Sequence, residues 1–205
     1  MTNGLLPTSA GAPEGSRETI ILASCELFRL RGVDRVSVED IIDRAGVAKS
    51  TFYSCFHSKE ELAVACLRLR HEARMSSLRE TVQRHGGGRA DTLRGILSDL
   101  MDQWFLDPVA EVRVLSHALG PHGEEDGVVG RTVAGQLREF RDAIAALSRD
   151  AGLLDPEGFA WSWEIAVKGA LISAFEGDTD ALQQAESMTG LLLAEHAEDL
   201  FEDGL

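Results

Sequence analysis

A chain of 205 residues, 44% hydrophobic and 26% charged, has the material for a sizeable buried core and for one or two domains. Its net charge of −14 speaks against a protein that coats nucleic acid by bulk attraction, and no apolar run approaches the roughly 18 residues that a membrane span needs. Cys25, Cys55 and Cys66 are odd in number, scattered and without CxxC spacing, which fits a reducing compartment and gives no zinc site.

Residues 1–16 are rich in Gly, Ser, Thr, Ala and Pro and lack periodicity, so they read as a flexible arm. The arm holds no Lys or Arg and makes a poor signal peptide, so a cytoplasmic location is expected. The first helix is expected from about Ser16, as its N-cap, to Arg31, with Ile20, Ala23, Leu27 and Phe28 at helical spacing. Val36–Lys59 then reads as two short helices joined by a tight turn. Ser37 and Asp40 have the spacing of a capping box, Ile41, Ile42 and Ala45 form an apolar stripe, and Gly46 can take the left-handed conformation that ends a helix. Lys49–Phe56 follows as the second helix, with Phe52 and Phe56 on one face and Lys49, Ser50, Thr51, Tyr53 and Ser54 on the other. A helix-turn-helix needs this division, one face fixed to its bundle and the other free to enter a DNA major groove.

Ser58 caps a helix expected to run to about His85, and Gly86-Gly87-Gly88 is the clearest break in the chain. Helices are expected at about 89–106, 109–119, 128–151, 157–176 and 180–202, which makes an all-α protein of about nine helices. Within 17–70, nine lysines and arginines face eight carboxylates, about +1, so the rest of the chain carries about −15. An acidic body on a near-neutral head should bind non-specific DNA weakly and lean on a few placed contacts.

Arg17–Leu67, about a quarter of the chain, resembles the N-terminal DNA-binding domain of the TetR family of bacterial transcriptional regulators. The run Ile20/Ile21, Ala23, Leu27-Phe28, Gly32 carries the likeness. It continues through Ser37, Ile41-Ile42, Ala45-Gly46-Val47, Ser50-Thr51-Phe52-Tyr53, Phe56 and Ser58-Lys59-Glu60-Glu61-Leu62. The resemblance implies a homodimer that puts its third helix into successive major grooves of a palindromic operator, and a C-terminal helical domain that binds a small molecule and dimerises. It implies three segments, a flexible arm at 1–16, a DNA-binding domain at 17–62 with a connecting helix from about 58, and a regulatory and dimerisation domain at 63–205. Carried onto this sequence, Lys49, Ser50, Thr51, Tyr53 and Ser54 face the groove and Ser37 and Lys59 flank it as phosphate clamps; Arg17, which can meet a phosphate, and His57 complete the expected DNA-binding set. The acidic residues Glu39, Asp40 and Asp43 depart from that picture, as does Cys55 on the reading helix, where a modified thiol would block docking.

A cavity in an all-helical body would be lined by large apolar side chains, and Met101, Trp104, Phe105, His117, Phe140, Trp161, Trp163 and Phe175 are the candidates for an uncharged or amphipathic ligand. Small residues at Ala166, Gly169, Ala170, Ser173 and Ala174, with a stripe of Leu182, Ala185, Met188, Thr189, Leu192 and Leu193, suggest a four-helix interface between two copies. His122 with Glu124, Glu125 and Asp126 reads as a solvated acidic loop, and His196 as a surface residue of the last helix. There is no nucleophile elbow, no metal-ligand spacing and no phosphate-cradling loop, since Gly86–Gly88 lacks a following Lys-Ser/Thr. No enzymatic activity, cofactor or metal is therefore expected. The expected partners are double-stranded DNA, a small effector and a second copy of the chain. The expected function is a repressor released by its ligand, with an activator or a ligand-independent regulator on the same fold as the alternative.

Overall fold

The computed structural model describes residues 15–86, 90–119 and 127–197, the side chains of 90 and 114–119 excepted. Every regular element among the described residues is a helix: α1 Ser16–Arg31, α2 Val38–Ala45, α3 Lys49–Cys55, α4 Lys59–His85, α5 Ala90–Phe105, α6 Pro108–Leu119, α7 Val128–Asp150, α8 Pro156–Phe175 and α9 Ala181–His196. The chain divides between Leu67 and Arg68, inside α4, into two compact units.

In the first unit the local chemistry sets each helix end. The Ser37 hydroxyl accepts the Asp40 N–H at 3.0 Å while the Asp40 carboxylate accepts the Ser37 N–H at 2.8 Å, so the capping box closes and α2 starts at Val38. Gly46 ends α2 at φ 65°, a conformation that costs a residue with a Cβ, and its N–H returns to the Ile42 carbonyl. The start of α1 differs from expectation. Gly15 at φ 85° precedes the helix without a side-chain cap, and Ser16 is the first helical residue. Phe56 also differs: it is the extended residue that closes α3, with φ −141°, and not part of the helix. Ile20, Ile41, Phe52, Phe56 and Leu62 are fully buried, so all four helices contribute to one core. Each such side chain contributes about 1.5–3 kcal/mol on burial.

The second unit is built from the remainder of α4 with α5 to α9. Helix α8 packs against α6, α7 and α9, and α9 against α5. Leu97, Leu100, Met101, Ile144, Phe159, Trp163 and Leu171 are the heart of its core. Asp155 starts α8 by accepting the Gly158 N–H at 2.9 Å, with Pro156 in the first turn, where a missing N–H costs nothing. The buried Trp163 indole donates to the Thr189 hydroxyl at 3.1 Å, and that hydroxyl donates to the Ala185 carbonyl at 2.8 Å, which joins α8 to α9 without an unpaired indole N–H. Large apolar side chains also remain on the outside: Trp161, Ile165, Ile172 and Phe175 on α8, and Met188 and Leu191 on α9. No described helix is long and apolar enough to cross a membrane.

Candidate functional site

Helix α3 is held from one side only. Phe52 and Phe56, 6.3 Å apart between ring centres, are wholly inside, while Lys49, Ser50, Tyr53 and Ser54 are exposed and Thr51 is half-buried. The Tyr53 ring stands edge-on to Phe52 at 5.3 Å and is 47% exposed, so its position is braced while much of it faces solvent. Lys49 lies 3.4 Å from Glu39, with both side chains well exposed, a pairing worth little in water and readily exchanged for a phosphate or a guanine edge. Of the other charged residues of α2, Asp40 and Arg44 are occupied. Asp40 belongs to the capping box and pairs with Arg31 at 3.4 Å, and Arg44 pairs with Glu26 at 2.5 Å.

The flanking residues are arranged differently from the phosphate-clamp expectation. The Lys59 ammonium donates to the Val33 carbonyl at 3.1 Å and the Val36 carbonyl at 3.3 Å, so it ties α4 to the loop between α1 and α2. Both donors of Ser37, hydroxyl and backbone, are directed to Asp40. Arg17 lies 4.9 Å over the Phe56 ring and remains exposed. The His57 side chain is exposed, and its backbone N–H donates to Glu61 at 2.9 Å. That hydrogen bond holds the Glu61 carboxyl below its usual range. Cys55 is half-buried on α3. Cys66 is buried, its thiol donating to the Ile21 carbonyl at 3.6 Å, and the neighbouring Cys25 thiol together with burial pushes its pKa up.

In the second unit a cavity of about 230 Å³ is lined by Arg70, Arg74, Ser77, Gln103, Trp104 and Glu111, with Ala73 and Leu100. A smaller one of about 50 Å³ adjoins it through Arg74, Trp104 and Glu111, and is closed by Leu137, Phe140, Trp163, Val167 and Leu171. Of the residues expected at a cavity, Trp104, Phe140 and Trp163 line it. Met101 is core, and Phe105 packs on the core. Trp161 and Phe175 are about half exposed on α8, so the expectation that they line a cavity does not hold. Helical phase explains Trp161, which lies about 200° round the helix from the buried Trp163, while Phe175 is the last residue of α8. The His117 side chain and the loop with His122, Glu124, Glu125 and Asp126 lie outside the described residues.

The charged wall was not anticipated from sequence. Arg70 and Arg74 each donate to one oxygen of Glu111, and Arg74 also stacks 4.9 Å over Trp104 and 5.6 Å over Phe140. Glu164, at the smaller cavity, is bridged by Arg141 and by Lys168, the latter at 2.6 Å. Burial pushes the Arg74 guanidinium down from its ordinary value, against the pull of Glu111. The available signal was the i, i+4 spacing of Arg70 and Arg74, which places both on one face of α4.

The residues expected between two copies fall into three groups. Ala166, Ala185 and Thr189 are buried within the unit, and Gly169 and Met188 are exposed. Ala170, Ser173, Ala174, Leu182, Leu192 and Leu193 are half-buried. Of the six large apolar residues exposed on α8 and α9, Ile165, Ile172 and Leu191 are not among the expected sites, and Trp161 and Phe175 are among those expected at a cavity.

Residues 20–66 match the family described as bacterial regulatory proteins, tetR family. The chain is 29% identical over 142 residues to the HTH-type transcriptional activator FasR of Mycolicibacterium smegmatis, a match covering 67% of this chain and 61% of that protein's length. Its fold is similar to that of SCO4454, a TetR-family transcriptional regulator from Streptomyces coelicolor, at a TM-score of 0.76 and 17% identity, covering 89% of this chain and 96% of the other. SmeT, the repressor of the Stenotrophomonas maltophilia multidrug efflux pump SmeDEF, is similar at a TM-score of 0.68 and 22% identity, covering 90% of this chain and 91% of SmeT, and has also been solved as a complex with triclosan.

Proposed function

Because the chain belongs to the TetR family of bacterial regulatory proteins, we propose that it is a homodimeric repressor that reads a palindromic operator with α3 and leaves it when a small amphipathic ligand enters the second unit. The observation that carries this reading is the split of α3. Phe52 and Phe56 fix one face while Lys49, Ser50, Tyr53 and Ser54 stand exposed on the other. Such a helix can enter a major groove without unfolding anything. The exposed apolar side chains on α8 and α9 support the dimer, since apolar surface left to water is costly and a two-fold axis would pair it with itself.

The adjoining cavities support a ligand site, and the triclosan complex of SmeT shows that one protein of this fold holds a small amphipathic molecule. Ligand release follows from linkage: a ligand that binds the operator-free arrangement better weakens DNA binding by the same factor. Helix α4 begins beside α3 and continues as a wall of the larger cavity, so it is the element through which the two events are coupled. Activation is the second reading, favoured by the name of the FasR relative; it keeps the same head and differs in where the operator lies relative to the promoter.

Selection of bound sequences from a random duplex pool at about 0.15 M salt tests the proposal. A palindrome with half-sites one or two helical turns apart, roughly 34–36 Å per turn, is expected. Absence of any enriched motif with protein refolded free of ligand would reject sequence-specific reading.

A further inference from the structure

We propose that the effector is an amphipathic organic anion, with a carboxylate head received by Arg70 and Arg74 and an apolar body lying along Trp104 toward Phe140 and Trp163. This rests on the effector-site reading above and adds the chemical class of the ligand.

The larger cavity is lined by two guanidinium groups and a single carboxylate, a surplus of one positive charge at its wall. Glu111 has both oxygens engaged, one by each arginine. Each guanidinium has five N–H donors, and among the described residues each spends one hydrogen bond, on Glu111. Planar, unsaturated donors beside a cavity suit a carboxylate, which can accept two parallel N–H bonds. The surplus charge is costly because the Arg74 side chain is only 21% exposed and is pressed against two aromatic rings. An incoming anion would offset that cost, whereas a cation would add to it.

Polarity is graded along the space. The larger cavity has Ser77 and Gln103 beside the arginines, while the smaller has Leu137, Phe140, Trp163 and Leu171. The two share Arg74 and Trp104, so a head at the arginines puts the body on the aromatic wall. At the far end the Glu164 carboxylate is already bridged by Arg141 and Lys168, again two cations on one anion, so no bare carboxylate waits for an amine.

Isothermal titration of DNA-free protein with octanoate, octan-1-ol and octylammonium separates head from tail. Octanoate is expected to bind at least tenfold tighter than octanol, with octylammonium the weakest. Arg70→Gln should remove most of the preference for octanoate over octanol. Arg70 is the more exposed of the pair, so this variant keeps the fold; Arg74→Gln, checked by its helicity, should act in the same direction. Equal binding of octanoate and octanol, tighter binding of octylammonium, or no binding of any of the three at millimolar concentration would overturn the proposal. Displacement of operator by octanoate is read separately. Octanoate that binds through Arg70 but leaves the operator complex intact upholds the ligand class and rejects the ligand-released repressor.

Discussion

Ser37 shows how one side chain sets both a helix start and a pH response. Its hydroxyl, and next its backbone N–H, donate to Asp40 and hold that carboxyl below its usual range, outweighing desolvation, with Arg31 adding a smaller pull. A carboxylate whose folded pKa is depressed adds stability above its unfolded value, roughly 3.9, and that stability is lost as pH falls through the lower folded value. Ser37→Ala should therefore lower the urea midpoint at pH 7 and have a smaller effect at acid pH, where the parent's Asp40 takes up its own proton. An equal loss at both pH values would show that the box does not depend on the charge. On α3, the proposed reading helix, Lys49→Ala and Tyr53→Ala should each weaken operator binding by about 1–3 kcal/mol if the side chain reads a base. Both side chains are exposed, so thermal stability should stay near that of the parent; unchanged binding in both variants would remove the assignment.

At the scale of elements, periodicity and punctuation were enough to locate most helices. Gly46, the Ser37/Asp40 pair and the Ser58 cap act through neighbours two to four residues away, and those neighbours are visible in the chain. What local reading could not supply was tertiary use. Lys59 looks like a phosphate clamp by position, yet its ammonium is drawn to the carbonyls of Val33 and Val36, more than twenty residues earlier. Aromatic weight at 159–163 looked like one cavity wall, but two residues along a helix is a turn of about 200°, so Trp163 is buried and Trp161 exposed. The charged lining was hidden for the same reason. Glu111 meets Arg70 and Arg74 only once α6 packs near α4. Helix α8 also has a sharp local test. A Cβ at Gly158 would lie 2.0 Å from the Asp155 carboxylate that caps the helix, so Gly158→Ala forces the cap apart. The cap is worth about 1 kcal/mol and alanine returns up to about as much in helix propensity, so thermal unfolding should show no gain. A variant about 1 kcal/mol more stable than the parent would mean that the cap contributes nothing.

For the whole molecule the central quantity is the number of reading heads. Ile165 is 63% exposed in the single chain and stands in the apolar row of α8, so Ile165→Asp should leave the monomer folded, with unchanged helicity, while sedimentation moves from dimer to monomer. A variant that stays dimeric would place the interface elsewhere. The net charge of −14 would sharpen the dependence of the proposed dimer on two heads. An acidic molecule gains little from the phosphate backbone at large, so a single near-neutral head should hold a half-site weakly, and useful affinity requires two together. The most direct measurement is therefore a titration of the selected full palindrome against a lone half-site, with parent and Ile165→Asp protein at several salt concentrations. The parent should bind the palindrome at least a hundredfold more tightly than the half-site, with about twice the salt slope, and the variant should lose that advantage. Equal affinity of the parent for palindrome and half-site would contradict a dimeric reader.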